Sequence, residues 1–207
     1  MRIVLATHNL HKVDEFQRLV SAQVAGIEIV AYDGPEPVEN GTTFTANALI
    51  KARGAAAHTG EIALADDSGI VVDVMGAAPG ILSARWSGPA ASGEANTRLL
   101  LAQLADLDRR DRGAAFHCVL ALVVPAGVLD AHPDGHEVVA EGVWRGELAY
   151  EPRGSYGFGY DPIFEPLGSE LTAAELLPEA KNAQSHRARA FAELLPALRQ
   201  LIGNAIR

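Results

Sequence analysis

Ile3 to Ala6 is a short apolar run that stops at Thr7-His8-Asn9. The next segment, His11 to Ser21, spaces Val13, Phe16, Leu19 and Val20 along one helical face. Strand, polar loop and amphipathic helix in immediate succession is the opening of an α/β layer structure. It puts Thr7 to Lys12 at the carboxyl end of a strand and the amino end of a helix. There, backbone N–H groups and the helix dipole favour anions.

The alternation continues. Ile27 to Ala31 reads as a second strand and Asp33 to Asn40 as a Pro/Gly loop. Thr42 to Thr59 is alanine-rich and predicted helical, entered at a Gly-Thr-Thr cap and left at Gly60. Ile62 to Ala65 is predicted to be a strand running into Asp66-Asp67-Ser68-Gly69, with Ile70 to Val74 as another. A Gly/Pro-rich segment, Met75 to Ala90, precedes a helix over 92–107. Ala114 to Val124 and Glu137 to Trp144 form the clearest β pair, and 151–165 is a Gly/aromatic loop with a little strand. Thr172 to Leu177 and Ala183 to Ile202 are predicted helices, broken by Pro178 and Pro196. The long hairpin requires antiparallel pairing, so the sheet is mixed. At 207 residues, with no repeat or clean linker, one domain is expected.

A formal charge of −9 argues against a broad surface for nucleic acid or anionic membrane. A small anionic ligand remains compatible where local cations neutralise it. The single cysteine, Cys118, cannot form an internal disulfide, and no stretch of eighteen apolar residues is present. A cytoplasmic protein is the expectation.

Asp66 and Asp67 close an apolar run. If the strand continues, the two carboxylates point to opposite faces. Two readings are open here: carboxylates compensated by an oxygen-preferring cation such as Mg²⁺, or an Asp-rich turn before the next strand. Glu39 is a second candidate ligand. The basic residues sharpen the choice, because only Lys12, Lys51 and Lys181 are lysine while fourteen are arginine. A lysine is a compact charge that seats against one phosphate oxygen; Lys12 and Lys181 fall at loop–helix junctions. Gly154 to Pro162 combines flexible backbone with Tyr156, Phe158 and Tyr160, which either stack on a planar base or pack into the core. His117 and Cys118 lie on an apolar strand and carry no catalytic expectation.

Seven segments together resemble the inosine triphosphate pyrophosphatase (Ham1-like) family of noncanonical purine nucleotide pyrophosphatases. They are Thr7 to Lys12 with Glu15-Phe16, Glu39 to Phe44 with Asn47-Ala48 and Lys51-Ala52, Ala65 to Gly69, Ala78 to Arg85, Phe116 to Cys118, Gly157 to Phe164, and Lys181 through Arg187. Their order and spacing are intact from residue 7 to residue 187. The resemblance implies a mixed, strongly twisted central sheet flanked by helices, with a nucleotide cleft between two lobes. It implies Mg²⁺-dependent hydrolysis of ITP, dITP and XTP to the monophosphate and pyrophosphate, in a homodimer; charge and hydropathy add the expectation of no nucleic-acid and no membrane partner. Carried over by position, Thr7, His8, Asn9, Leu10, His11 and Lys12 hold the triphosphate. Glu39 and Asp67 bind the metal, Asp67 is also the proton acceptor, and Asp66 is a second candidate for one of these roles. Ser68, Phe158, Gly159, Tyr160, Asp161, Lys181, His186 and Arg187 complete the nucleotide site. Recognition of a 6-oxo purine needs donors at O6; His186, Arg187 and backbone N–H groups near Phe158 are the candidates. The competing expectation is a noncatalytic purine-nucleotide-binding module that regulates dimer contacts.

Overall fold

A computed structural model describes residues 1–205, and within them the side chains of all but His11, Ile202, Asn204 and Ala205. Its strands are β1 (Arg2–Leu5), β2 (Glu28–Ala31), β3 (Ala63–Val72), β4 (Gly113–Val124), β5 (His136–Leu148) and β6 (Phe164–Pro166). Its helices are α1 (Leu10–Ser21), α2 (Phe44–Thr59), α3 (Gly93–Gln103), α4 (Pro178–Asn182) and α5 (His186–Ala205), with short 3-10 turns between. The six strands form one mixed sheet in the order β2-β1-β3-β4-β5-β6. β1 runs parallel to both β2 and β3, and β5 pairs antiparallel with β6. The α/β expectation and its mixed sheet are borne out.

The chain divides into two compact units: residues 1–67, 119–141 and 190–207, and residues 68–118 and 142–189. The first has a core of small residues. Ala48, Ala52, Ala55 and Ala56 of α2 pack with Val4, Ala63, Ala65, Val119, Ala121 and Val123. Alanines on that face let the helix axis lie close to the strands, so a side chain on its margin can reach β3. Thr43 caps α2 by accepting from the Ala46 N–H at 3.0 Å, and Gly60 ends it in the left-handed region.

The second unit has larger core residues: Ile70, Val72, Leu100, Leu104, Phe116, Trp144, Leu148, Tyr160, Ile163 and Phe164. Phe164 meets Phe116 and Trp144 edge-on, at 4.7 and 5.2 Å between ring centres. Arg112 lies among them, 1% exposed. Its guanidinium donates to three peptide oxygens: Leu104 at 2.6 Å, and Leu148 and Ala149 at 2.8 Å.

Three expectations are corrected. Asp66 to Gly69 is no turn: β3 runs unbroken through it, because burial on both sides of Ala63 to Ala65 and of Ile70 and Val72 outweighs local turn preference. Thr172 to Leu177 is not a helix. The Ala173 and Ala174 N–H groups donate to Phe164 and Asp161 carbonyls instead of up a helix, at 2.7 and 3.2 Å. Neither proline breaks a helix. Pro178 opens α4, where its missing N–H costs nothing, and Pro196 sits inside α5, whose buried Ala190, Phe191, Leu194, Leu198 and Leu201 hold it in place.

Candidate active site

The first unit gathers three carboxylates and two lysines. Asp66 and Asp67 are successive residues of β3, so their side chains leave opposite faces, and each meets a lysine from a different helix. Lys12 Nζ donates to Asp66 Oδ1 at 2.8 Å, and Lys51 Nζ donates to Asp67 Oδ1 at 2.9 Å. Lys51 also lies 3.2 Å from Glu39 Oε1. Its ammonium thus bridges the two carboxylates the sequence assigns to a metal. Burial lowers the Lys51 pKa, but the charges of Asp66, Asp67 and Glu39 outweigh it and leave the pKa above that of an ordinary lysine.

Asp67 has the opposite balance. Burial pushes its carboxyl up, the Lys51 ammonium pulls it back only in part, and the net pKa is raised. Asp67 Oδ2 is buried and has no hydrogen-bond partner. Asn47 faces it from α2, one helical turn before Lys51, and its amide favours the ionised carboxylate. Yet Asn47 Nδ2 completes no hydrogen bond, while Asn47 Oδ1 accepts from the Gly41 N–H at 2.9 Å. Sequence reasoning gave Asn47 no role, although it falls in the segment Glu39 to Ala52 that carries the family resemblance and on the alanine-rich helix.

These groups fit a hard divalent cation. The donors are carboxylate oxygens, they already surround one positive charge, and one buried oxygen is left unengaged. Mg²⁺ is commonly held by one or two carboxylates, with phosphate and water completing its shell. Among the described residues, no three His, Cys, Asp or Glu side chains form a self-contained metal set.

The loop ahead of α1 has the expected form. Thr7 Oγ1 accepts from the Asn9 N–H at 3.2 Å, and the Asn9 carbonyl accepts from the Lys12 and Val13 N–H groups. No acidic residue occupies the first turn of α1, so its dipole is left uncompensated for an anion. His8 stacks on Tyr32 at 5.9 Å and shares a 3.0 Å hydrogen bond with the Gly34 carbonyl. That contact accommodates its bulk. Leu10 is exposed, and the His11 side chain lies outside the described residues.

The second unit encloses a cavity of about 370 Å³, bordered by Ser68, Asn96, Phe116, Phe158, His186 and Arg187 among others. That volume suits a small planar ligand. His186 stacks on Phe116 at 4.8 Å with ring planes 14° apart. Phe158 is exposed, with the Arg187 guanidinium 5.5 Å and the Lys181 ammonium 5.7 Å from its ring centre. Asp161 is buried, and its Oδ2 accepts from the Phe158 N–H at 2.8 Å and from Lys181 Nζ at 2.6 Å. The Phe158 N–H is therefore committed to Asp161 and drops out as a donor to a base. Gly157, at φ 76°, is required there: a Cβ would lie 2.2 Å from Asp161 Oδ2. All three lysines of the chain are thus paired with carboxylates.

The chain matches the model of the Ham1 family over residues 3–197. It is 60% identical over 201 residues to a dITP/XTP pyrophosphatase of Leifsonia xyli subsp. xyli, covering 97% of each chain. It is 51% identical to a dITP/XTP pyrophosphatase of Mycobacteroides abscessus, covering 98% of this chain and 97% of that one. Among solved structures it superposes on a HAM1 protein from Coxiella burnetii with a TM-score of 0.85 and 42% identity, over 97% of this chain and 99% of the other. No described helix is long and apolar enough to cross a membrane.

Proposed function

Because the chain belongs to the Ham1 family, we propose that it hydrolyses noncanonical purine nucleoside triphosphates to the monophosphate and pyrophosphate, removing dITP, ITP and XTP from the nucleotide pool. The observation that carries this reading is the carboxylate–lysine cluster, in which Lys12 pairs with Asp66, Lys51 pairs with Asp67, and Asp67 keeps one buried, unengaged oxygen.

Glu39 and Asp67 would hold Mg²⁺, which when bound supplies positive charge to the phosphate oxygens. The roles of the chain's own groups follow from their contacts. Lys12, seated on Asp66 at the start of α1, meets phosphate together with the Thr7 to Lys12 loop. Lys51 keeps Glu39 and Asp67 together against their mutual repulsion. Asp67 Oδ1 stays with Lys51, which leaves Oδ2 as the atom that faces Mg²⁺ and takes the proton of the attacking water. Asp66, whose Oδ1 is engaged by Lys12, is read as a positioning group for that lysine. Phe158 stacks on the base, His186 and Arg187 supply donors for O6, and Lys181 is set in place by Asp161. Family membership extends the reading to a cytoplasmic homodimer, and the acidic net charge favours no nucleic-acid partner.

The test is pyrophosphate release from ITP, XTP, GTP and ATP, with Mg²⁺ and with a chelator. For the stacking role, Phe158→Ala is expected to raise KM for ITP about tenfold with kcat little changed, since a base–aromatic stack contributes about 1–3 kcal/mol. Steady-state kinetics on both proteins checks this. An unchanged KM would remove Phe158 from the base contacts.

A further inference from the structure

Three peptide carbonyls of the cavity-wall residues are held by side chains of the second unit. The Ser83 carbonyl accepts from Asn96 Nδ2 at 3.2 Å and from the Tyr160 hydroxyl at 2.8 Å. The Ala84 carbonyl accepts from Asn96 Nδ2 at 3.1 Å, and the Gly159 carbonyl from Thr97 Oγ1 at 3.1 Å. Ser83, Ala84 and Gly159 all border the cavity.

The holders are firmly fixed. Asn96 and Thr97 are adjacent on α3 and both buried. Asn96 Oδ1 accepts from the Ser87 N–H and hydroxyl at 2.8 and 2.7 Å, which fixes which end of its amide donates. Burial pushes the Tyr160 phenol above its usual range, so it remains a donor. α3 also lies hard against the loop, since a Cβ on Gly93 would stand 3.3 Å from Gly159 Cα.

The four common purine bases divide by one group. Adenine carries an exocyclic amine at C6 and guanine one at C2; hypoxanthine and xanthine carry oxo groups and no exocyclic amine. An amine pressed against a wall whose carbonyl lone pairs are filled or held in another direction loses its water partners without full replacement. Resting on the function proposed above, we infer that Asn96 and Thr97 are specificity-determining positioning residues. Together with Tyr160 they fill both lone pairs of the Ser83 carbonyl and one each on Ala84 and Gly159, which reduces and orients the acceptors offered to the amino groups of guanine and adenine. Thr97 is the more easily tested of the two. Gly159, at φ 63°, has the backbone freedom of a glycine, so of the three carbonyls its own is the one most able to reorient once the hydroxyl is gone.

The experiment measures kcat/KM for ITP, XTP, GTP and ATP with the parent, Thr97→Val, Thr97→Ser and Asn96→Ala, alongside calorimetric binding of IMP and GMP. Thr97→Val keeps the shape and removes the hydroxyl. It is expected to raise the GTP-to-ITP ratio about tenfold, the scale of one rescued hydrogen bond, and to raise GMP binding relative to IMP in step. Thr97→Ser should return both ratios to parent values. If Asn96→Ala does not fold, the Thr97 pair decides alone. A parent that discriminates, with a Thr97→Val that lowers ITP and GTP turnover by one common factor and leaves both ratios fixed, overturns the inference alone. A parent with no preference for ITP overturns the proposed function, and this inference with it.

Discussion

Asp67→Asn is expected to reduce kcat on ITP by about a thousandfold, the usual range for loss of a general base, while ITP binding persists. Asparagine keeps the size of the side chain and keeps an oxygen for Lys51, so what is lost is the anionic oxygen that serves Mg²⁺ and accepts the water's proton. The same substitution should not lower stability at neutral pH. Because burial holds the Asp67 pKa above its unfolded value, the folded state binds this proton more tightly than the unfolded chain. The ionised carboxylate is therefore a stability cost, present above the folded pKa and gone below the unfolded one. The melting temperature of the asparagine variant should stand at or above the parent's at pH 7 to 8, and the difference should shrink as pH falls into the ordinary carboxylate range. Single-turnover kinetics and thermal melts across pH check both parts. A parent without turnover, binding ITP as well as the variant does, would favour the binding-module reading.

Arg112→Met should lower the melting temperature by about 10 °C. The guanidinium donates to the Leu148 and Ala149 oxygens at and just past the end of β5, and shares the Leu104 oxygen at the end of α3 with the Leu107 N–H at 3.2 Å, all within a nearly closed core. Methionine fills much of the same space but donates nothing. Each buried carbonyl left without a partner costs about 1–3 kcal/mol. Two such carbonyls, less the relief from desolvating a charge, leave about 2–4 kcal/mol, and each kcal/mol moves the midpoint by roughly 2–4 °C at this chain length. Calorimetry of the two proteins decides it. A midpoint shift below about 2 °C would mean that water or backbone movement satisfies those oxygens instead.

The opening β1–α1 unit, the Thr43 and Gly60 caps of α2 and the pairing of β4 with β5 as sheet neighbours were legible because their causes are local: apolar spacing, a hydroxyl three residues before an N–H, a glycine after the last turn. The rarity of lysine suggested phosphate contacts; in the structure each lysine meets a carboxylate, a pairing the sequence reading did not include. It did not reveal that Lys51 bridges Glu39 and Asp67, which are 28 residues apart in the sequence. Arg112 was one arginine among fourteen, and two of its partners lie 36 and 37 residues away. The Asp-Ser-Gly segment misled for a related reason: its turn chemistry is real, but burial of Ile70 and Val72 in the second core keeps the strand extended. Asn96 and Thr97 left no sequence signal, because what they hold are backbone carbonyls, and carbonyls have no letter.

The most direct measurement is phosphorus NMR of the products when the purified protein is offered equal ITP and ATP with Mg²⁺. Expected are IMP and pyrophosphate in equal amounts, with ATP left essentially intact. Orthophosphate with IDP, or ATP consumed as fast as ITP, would contradict the account.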